Sequence, residues 1–323
     1  VNPMKKRSDL FRALTVQVAA HAIVVSGASM LLSHPALETM QRLGWASFAA
    51  VGALGIFWIS VAVFEKGFGI VSDGTLLELC SPDSKLIHEL NLRAPGTYAH
   101  SVGVGNLAEN AARDIHANAV LCRAMAYYHD IGKLTRPSYF VENQAGANVH
   151  DDMSPVLSAK VVSAHVKDGV ELARSNKLPQ AVIDGIQQHH GTTLIKYFYS
   201  RALDQGLATE ESEEEFRYAG PKPQTKETAI LHLADMAEAA CRTVASSKDI
   251  APIVHDLIEG SRADGQLDEC DLTFRELQII EASFVHSLSA VRHERVAYPD
   301  QEVSDHAGTE PADNSSEQVI NPS

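Results

Sequence analysis

Seven residues have the types and order from which metal chemistry could be built: His100, the adjacent pair His129-Asp130, His165, the adjacent pair His189-His190, and Asp235. Imidazole nitrogens and carboxylate oxygens together suit Fe, Mn or Zn. Each of the seven falls within or at the end of a predicted helix, so a helical bundle can aim them inward at one point. Adjacent residues on a helix diverge by about 100°. That makes His129 and Asp130 an awkward pair for one isolated ion, and a natural pair if one residue binds an ion and the other bridges to a neighbour. His189 and His190 pose the same geometry, so two adjacent pairs point to a two-metal centre. Asp130 has two carboxylate oxygens with which to bridge, whereas a neutral imidazole has one acceptor nitrogen.

Other residues near these positions have two readings each. Gly132 lets the backbone leave the helix close to a ligand. Lys133 offers a cation to a phosphate as a catalytic and substrate-binding group, or is a solvated lysine past a helix end. Arg242 follows Asp235 by two helical turns, and either reaches a phosphate or pairs with Glu238. Tyr197 and Tyr199 stack on a base or simply pack. A second His-Asp pair, His150-Asp151, lies in a segment rich in Asn and Asp and reads as a loop or cap. Of the 15 histidines, the ten outside the set, among them His88, His116, His232 and His293, are ordinary core or surface residues.

The elements that must position these groups are helices. From about residue 67 to 299 the pattern is all-α, with very little strand signal. Ser154 and Pro155 mark a helix start, a capping side chain followed by proline at the first position. Pro179 opens a helix over 180–188 that breaks at Gly191. Thr225 leads into a helix over 230–242, and a last amphipathic helix runs over 273–293. The acidic cluster at 210–215, followed by Gly220, Pro221 and Pro223, reads as a surface loop.

Upstream, residues 13–32 and 45–64 are each long enough to cross a bilayer, which takes roughly 20 apolar residues. The second segment carries no charge. The first, softened by Gln17 and His21, has an interfacial or soluble amphipathic helix as its alternative. Lys5, Lys6, Arg7 and Arg12 put the start of the chain on the cytoplasmic side. Two spans joined by a short connection over 34–42 then return residues 67–299 to the cytoplasm. The chain begins at Val1 rather than Met, so we expect a fragment boundary with further membrane segments upstream. No signal-peptide cleavage site leads into a disulfide-bearing domain. Beyond Pro299 the composition turns to Asp, Glu, Ser, Asn and Pro, and residues 300–323 read as a disordered acidic tail.

Lys plus Arg number 27 and Asp plus Glu 41, and 27 − 41 gives a net charge of −14. That balance argues against binding long nucleic acids, but not against a small anionic substrate, because metal ions supply the positive field locally. Cys80, Cys122, Cys241 and Cys270 show no paired spacing, which fits a reducing compartment.

The order His, His-Asp, His, His-His, Asp resembles that of the HD-domain phosphohydrolase superfamily. Within it the chain is similar to the seven-transmembrane HD phosphodiesterases, which hydrolyse cyclic di-AMP to linear pApA. The resemblance is carried by residues 92–101 around Tyr98-Ala99-His100-Ser101, by Tyr127-Tyr128-His129-Asp130-Ile131-Gly132-Lys133, by Ser163-Ala164-His165-Val166-Lys167, and by Gln188-His189-His190-Gly191-Thr192-Thr193. Gly220-Pro221-Lys222-Pro223 and Leu233-Ala234-Asp235 follow the same pattern. It implies an all-α HD-domain bundle preceded by two transmembrane helices, in a bacterial inner membrane. It further implies two divalent ions, Mn or Fe: one held by His100, His129, Asp130 and Asp235, the other by Asp130, His165, His189 and His190. The large extracytoplasmic domain and early membrane helices of that family have no counterpart in these residues.

The expected reaction is attack on phosphorus by a hydroxide generated between two metals, with Lys133 neutralising a non-bridging oxygen. Partners are then a cyclic dinucleotide and the membrane, and a homodimer is compatible with all of this. One alternative is another HD-type hydrolase acting on cyclic di-GMP, guanosine tetraphosphate or a nucleoside triphosphate. The cyclic di-GMP branch usually carries Gly-Tyr-Pro where this chain has Gly191-Thr192-Thr193-Leu194. A non-catalytic membrane nucleotide sensor is the third reading, although such a module would be expected to lose ligands and none is lost.

Overall fold

A computed structural model of the chain describes residues 7–33, 35–68, 71–242 and 249–291. Lys5 and Lys6, His293 and the acidic tail at 300–323 lie outside the described residues. Two long helices come first, α1 (Arg7–Leu31) and α2 (Ala36–Phe68). Both contain stretches long and apolar enough to cross a membrane, Arg12–Leu31 and Ala36–Val61, and only 6% of each is buried. Ile23, Met30, Trp45, Phe48 and Ile56 are all exposed. The connection expected over 34–42 is shorter than that, because the helix already begins at Ala36. Glu38 in its first turn and Arg42 one turn later pair at 2.7 Å on the same face, a spacing that favours helix over loop.

The remaining helices are α3 (Asp73–Leu79), α4 (Lys85–Arg93), α5 (Pro95–Asp114), α6 (Ala119–Tyr128), α7 (Pro155–Ser175), α8 (Gln180–Gln188), α9 (Lys196–Asp204), α10 (Lys226–Cys241), α11 (Ile250–Ala263) and α12 (Phe274–Val291). No strand is formed among the described residues. Side-chain caps start the helices that matter most for the site. Asn118 accepts from the Leu121 amide at 3.0 Å, Ser154 from Leu157 at 3.3 Å and Thr225 from Thr228 at 3.2 Å. Each satisfies an amide that the helix leaves unpaired.

The acidic stretch read as a loop is instead a 3-10 helix, Glu210–Phe216. Thr209 and Ser212 cap it reciprocally, and its last residue, Phe216, is buried beside Ala159, Phe198 and Ala202. The charges line a short helix whose anchor is aromatic, so acidity alone misreads it as loop.

Two apolar clusters hold the bundle together. One joins α5, α6, α10, α11 and α12 through residues such as Val104, Met125, Leu231, Val254 and Phe284. The other joins α3, α4, α6, α7 and α8 through Leu76, Ile87, Tyr128, Val170 and Ile186. Helix α6 belongs to both, with Cys122 and Met125 facing the first cluster and Ala124 and Tyr128 the second. A side chain at the end of α6 therefore sits where the two packing units meet. That residue is His129.

Candidate metal centre

His100 projects from the second turn of α5, His129 caps the end of α6 with Asp130 directly after it, His165 lies in α7, His189 and His190 follow α8, and Asp235 lies in α10. These seven residues, dispersed over 136 positions of sequence, converge on one buried point. Asp130 stands at its centre. Its Oδ2 lies 3.2 Å from His129 Nε2 and 3.8 Å from His100 Nε2. Its Oδ1 lies 3.3 Å from His165 Nε2 and 3.8 Å from His189 Nε2. One carboxylate thus faces two histidine sets, one set per oxygen. Asp235 closes the arrangement, with Oδ1 2.8 Å from His100 Nε2 and Oδ2 3.6 Å from His190 Nδ1.

Ring orientation has a local cause. Nδ1 of His129 donates to the carbonyl of Ala126 at 2.7 Å, that of His165 to Val162 at 2.6 Å, and that of His189 to Ile186 at 2.8 Å. A proton fixed on Nδ1 leaves Nε2 with its lone pair aimed into the centre, the form in which histidine binds a metal. Nε2 of His165 and Nε2 of His189 then face one another at 3.2 Å. Two lone pairs at that distance repel unless a cation or proton lies between them.

The donor set fits divalent ions on three further grounds. His129 Nε2 and Asp130 Oδ1 are buried and make no hydrogen bond, a costly condition in a protein interior. Three trios of ligand atoms lie within 4.8 Å of one another: His165, His189 and His190; His100, His129 and Asp130; and His129, His189 and Asp235. Protonation states agree as well. Burial depresses the pKa of His189, and His129 and His165 depress it further, to about 3. Burial also lowers His165 and His190. Burial acts to raise Asp130, but Lys133 and His129 outweigh it and keep the carboxyl well below its usual range. His100 and His129 do the same for Asp235. Burial opposes charge on His129, yet Asp130 and Asp235 lift its pKa to about 10. Positive charge is favoured between those carboxylates, and a divalent cation supplies it.

Two glycines let the backbone come this close. A Cβ on Gly132 would sit 1.8 Å from the His165 carbonyl oxygen and 2.5 Å from the Gly169 amide, so only glycine lets the segment after Asp130 touch α7. Gly191, at φ +53°, turns the chain immediately after His190.

The neighbouring candidates divide. Lys133 is largely buried and pairs with Asp130 Oδ2 at 2.7 Å and Glu142 Oε1 at 2.8 Å, so it is no solvated lysine. Arg242 pairs with Glu238 at 2.7 Å. Tyr197 is exposed, and Tyr199 packs on Phe216. His150 is buried in its loop and bonds the Tyr139 carbonyl at 2.7 Å. His232 is structural too: its Nδ1 donates to the His189 carbonyl at 2.7 Å and fastens the end of α8. Three residues around the centre were not read from sequence as part of it, although Glu238 was named as a partner for Arg242. Glu238 contacts His100 Nδ1, and its position three residues after Asp235 on α10 was the available signal. Glu142 holds Lys133, and Tyr218 stacks on His190 with ring centroids 4.1 Å apart. Neither has a local pattern that announces it.

A family model described as HD domain matches residues 97–240. The chain is 42% identical over 277 residues to the cyclic-di-AMP phosphodiesterase PgpH of Listeria monocytogenes, covering 84% of this chain and 38% of that protein. It is 42% identical over 292 residues to the PgpH of Bacillus subtilis, covering 88% of this chain and 40% of that protein. It therefore spans about two fifths of the length of these curated relatives. The crystal structure of the L. monocytogenes PgpH HD domain in complex with cyclic di-AMP superposes with a TM-score of 0.63 at 44% identity, over 65% of this chain and 99% of that one. With the converging histidines and aspartates, the all-helical bundle and a relative matched over nearly its whole length, the chain belongs to the HD-domain family.

Proposed function

We propose that this chain is a metal-dependent phosphodiesterase that opens cyclic di-AMP to linear pApA. The observation that carries the reading is the division of Asp130, with one carboxylate oxygen toward His100 and His129 and the other toward His165 and His189. Such a division suits two divalent ions sharing one carboxylate. His100, His129, Asp130 and Asp235 would hold one, and Asp130, His165, His189 and His190 the other, with Mn and Fe both suited to this nitrogen-rich set. When bound, such ions supply an activated water and neutralise charge on phosphoryl oxygens.

The chain's own groups do the positioning. Lys133 has three ammonium protons. Two are directed to Asp130 and Glu142, which leaves the third for a non-bridging phosphate oxygen. That contact would stabilise the charge that develops as phosphorus is attacked. Arg242 acts from further out, through Glu238. The exposed apolar helices α1 and α2 support residence in a bacterial inner membrane, with residues 67–299 on the cytoplasmic side. The seven-helix architecture of the resembling phosphodiesterases belongs to the same proposal, as does a homodimer.

The test is turnover of cyclic di-AMP by the purified chain in detergent with added Mn, beside cyclic di-GMP under the same conditions. Conversion of cyclic di-AMP to pApA that disappears in His129→Ala is the expected outcome. Faster turnover of cyclic di-GMP, or turnover untouched by that substitution, would overturn the reading.

A further inference from the structure

The histidines of the centre are not all aimed by the same kind of partner. His129, His165 and His189 each lean on a main-chain carbonyl three residues earlier. His100 does not. Its Nδ1 contacts the carboxylate of Glu238, a residue 138 positions away on α10. Glu238 is itself held, because the same Oε2 accepts from Arg242 Nη2 at 2.7 Å. Helix α5 makes room for it at Gly103, where a Cβ would lie 3.2 Å from Glu238 Cγ.

We propose that Glu238 is the positioning residue for His100, and that it sets the affinity of one of the two metal positions without setting the other. The inference rests on the metal-centre reading above. A carboxylate accepting from Nδ1 fixes the tautomer, holds the ring plane and makes Nε2 a better donor to a cation. A main-chain carbonyl does the first two for His165 and His189, and no side-chain substitution removes it. The His100 position is therefore the tunable one. Arg242 keeps the Glu238 carboxylate from swinging away toward solvent. On that side Glu238 borders a cavity of about 430 Å³ between α5, α10 and α12, so shortening its side chain opens no sealed void in the core.

The experiment counts Mn per chain and measures each site's affinity by chelator competition, on the full chain in detergent, for wild type, Glu238→Gln, Glu238→Ala and Arg242→Leu. Wild type should hold two Mn. Glu238→Ala should keep one at wild-type affinity and weaken the other by about 10–100-fold, the usual effect of removing an outer partner of a metal-bound histidine. Glu238→Gln, which keeps an acceptor oxygen without the charge, should fall between. Arg242→Leu should shift the same site by less, and thermal unfolding should stay near wild type throughout. Two Mn at wild-type affinity in Glu238→Ala would overturn the inference. So would loss of both ions together, or an unfolded Glu238→Ala beside a Glu238→Gln with wild-type affinity. A wild-type chain that binds no Mn would instead overturn the metal-centre reading, so the two failures are told apart by the first sample.

Discussion

The two sides of Asp130 are built by different means. Facing Oδ1, His165 and His189 take their orientation from their own helices, each through a carbonyl one turn back. Facing Oδ2, His100 depends on Glu238 and Asp235 of α10, and Asp130 itself is held by Lys133, which leans on Glu142. On the Oδ1 side helix geometry sets two histidines, while on the Oδ2 side it sets only His129, through the Ala126 carbonyl, and the rest hangs on a chain of side chains drawn from four segments. A site of the first kind tolerates change around it, because its constraint is main chain. A site of the second kind can be tuned, and also broken, from outside its ligands.

The largest effect should come from removing what the sides share. Asp130→Ala takes one oxygen from each set, so both metals should be lost together. Turnover should fall by more than about a hundredfold, the upper range for outer-shell partners alone. Metal counting beside cyclic di-AMP turnover checks this. If one ion stays at full affinity, Asp130 belongs to one side only and the comparison fails.

Gly132→Ala should act next, and on the Oδ1 side first. The added Cβ meets the His165 carbonyl and the Gly169 amide, both main chain, so no rotamer change relieves it. Overpacking of this kind costs about 1–3 kcal/mol, and each kcal/mol lowers Tm by roughly 2–4 °C in a domain of this size. The same displacement moves α7 away from Asp130, so affinity at the His165 site should drop while the Glu238-dependent site keeps its own. A variant with wild-type Tm and two wild-type sites would mean that α7 can retreat without consequence.

What the sequence made legible follows the same division. The seven proposed ligands could be picked out because residue type, adjacency and helix ends are local properties. The starts at Ser154, Pro179 and Thr225 were readable for the same reason. Two stretches read as connection or loop are helical instead. The helix beginning at Ala36 was hidden by the charges of Glu38 and Arg42, and the 3-10 helix of Glu210–Phe216 by its acidity. In both, charge suggested a loop while an ion pair or a buried aromatic anchor decided otherwise. Partners brought together by tertiary packing had weaker signals or none. Glu238 had a spacing to give it away, but Tyr218 and Glu142 become neighbours of the centre only when loops fold over it.

Tyr218 offers the smallest and sharpest test. His190 is the one proposed ligand on the Oδ1 side whose ring no main-chain carbonyl is seen to orient among the described contacts. It lies instead against Tyr218, nearly parallel at 27°, with Asp235 Oδ2 3.6 Å from its Nδ1. If stacking holds the ring, Tyr218→Leu should loosen it by about 0.5–1.5 kcal/mol, or a loss of roughly two- to tenfold in affinity at that site alone. Tyr218→Phe keeps the ring and should bind as wild type does. Equal binding by the leucine and phenylalanine variants would show that His190 needs no stacking partner. A graded loss confined to one ion would instead show that the Oδ1 side has a side-chain dependence of its own, Tyr218 through His190, beside that of His100 on Glu238 across Asp130.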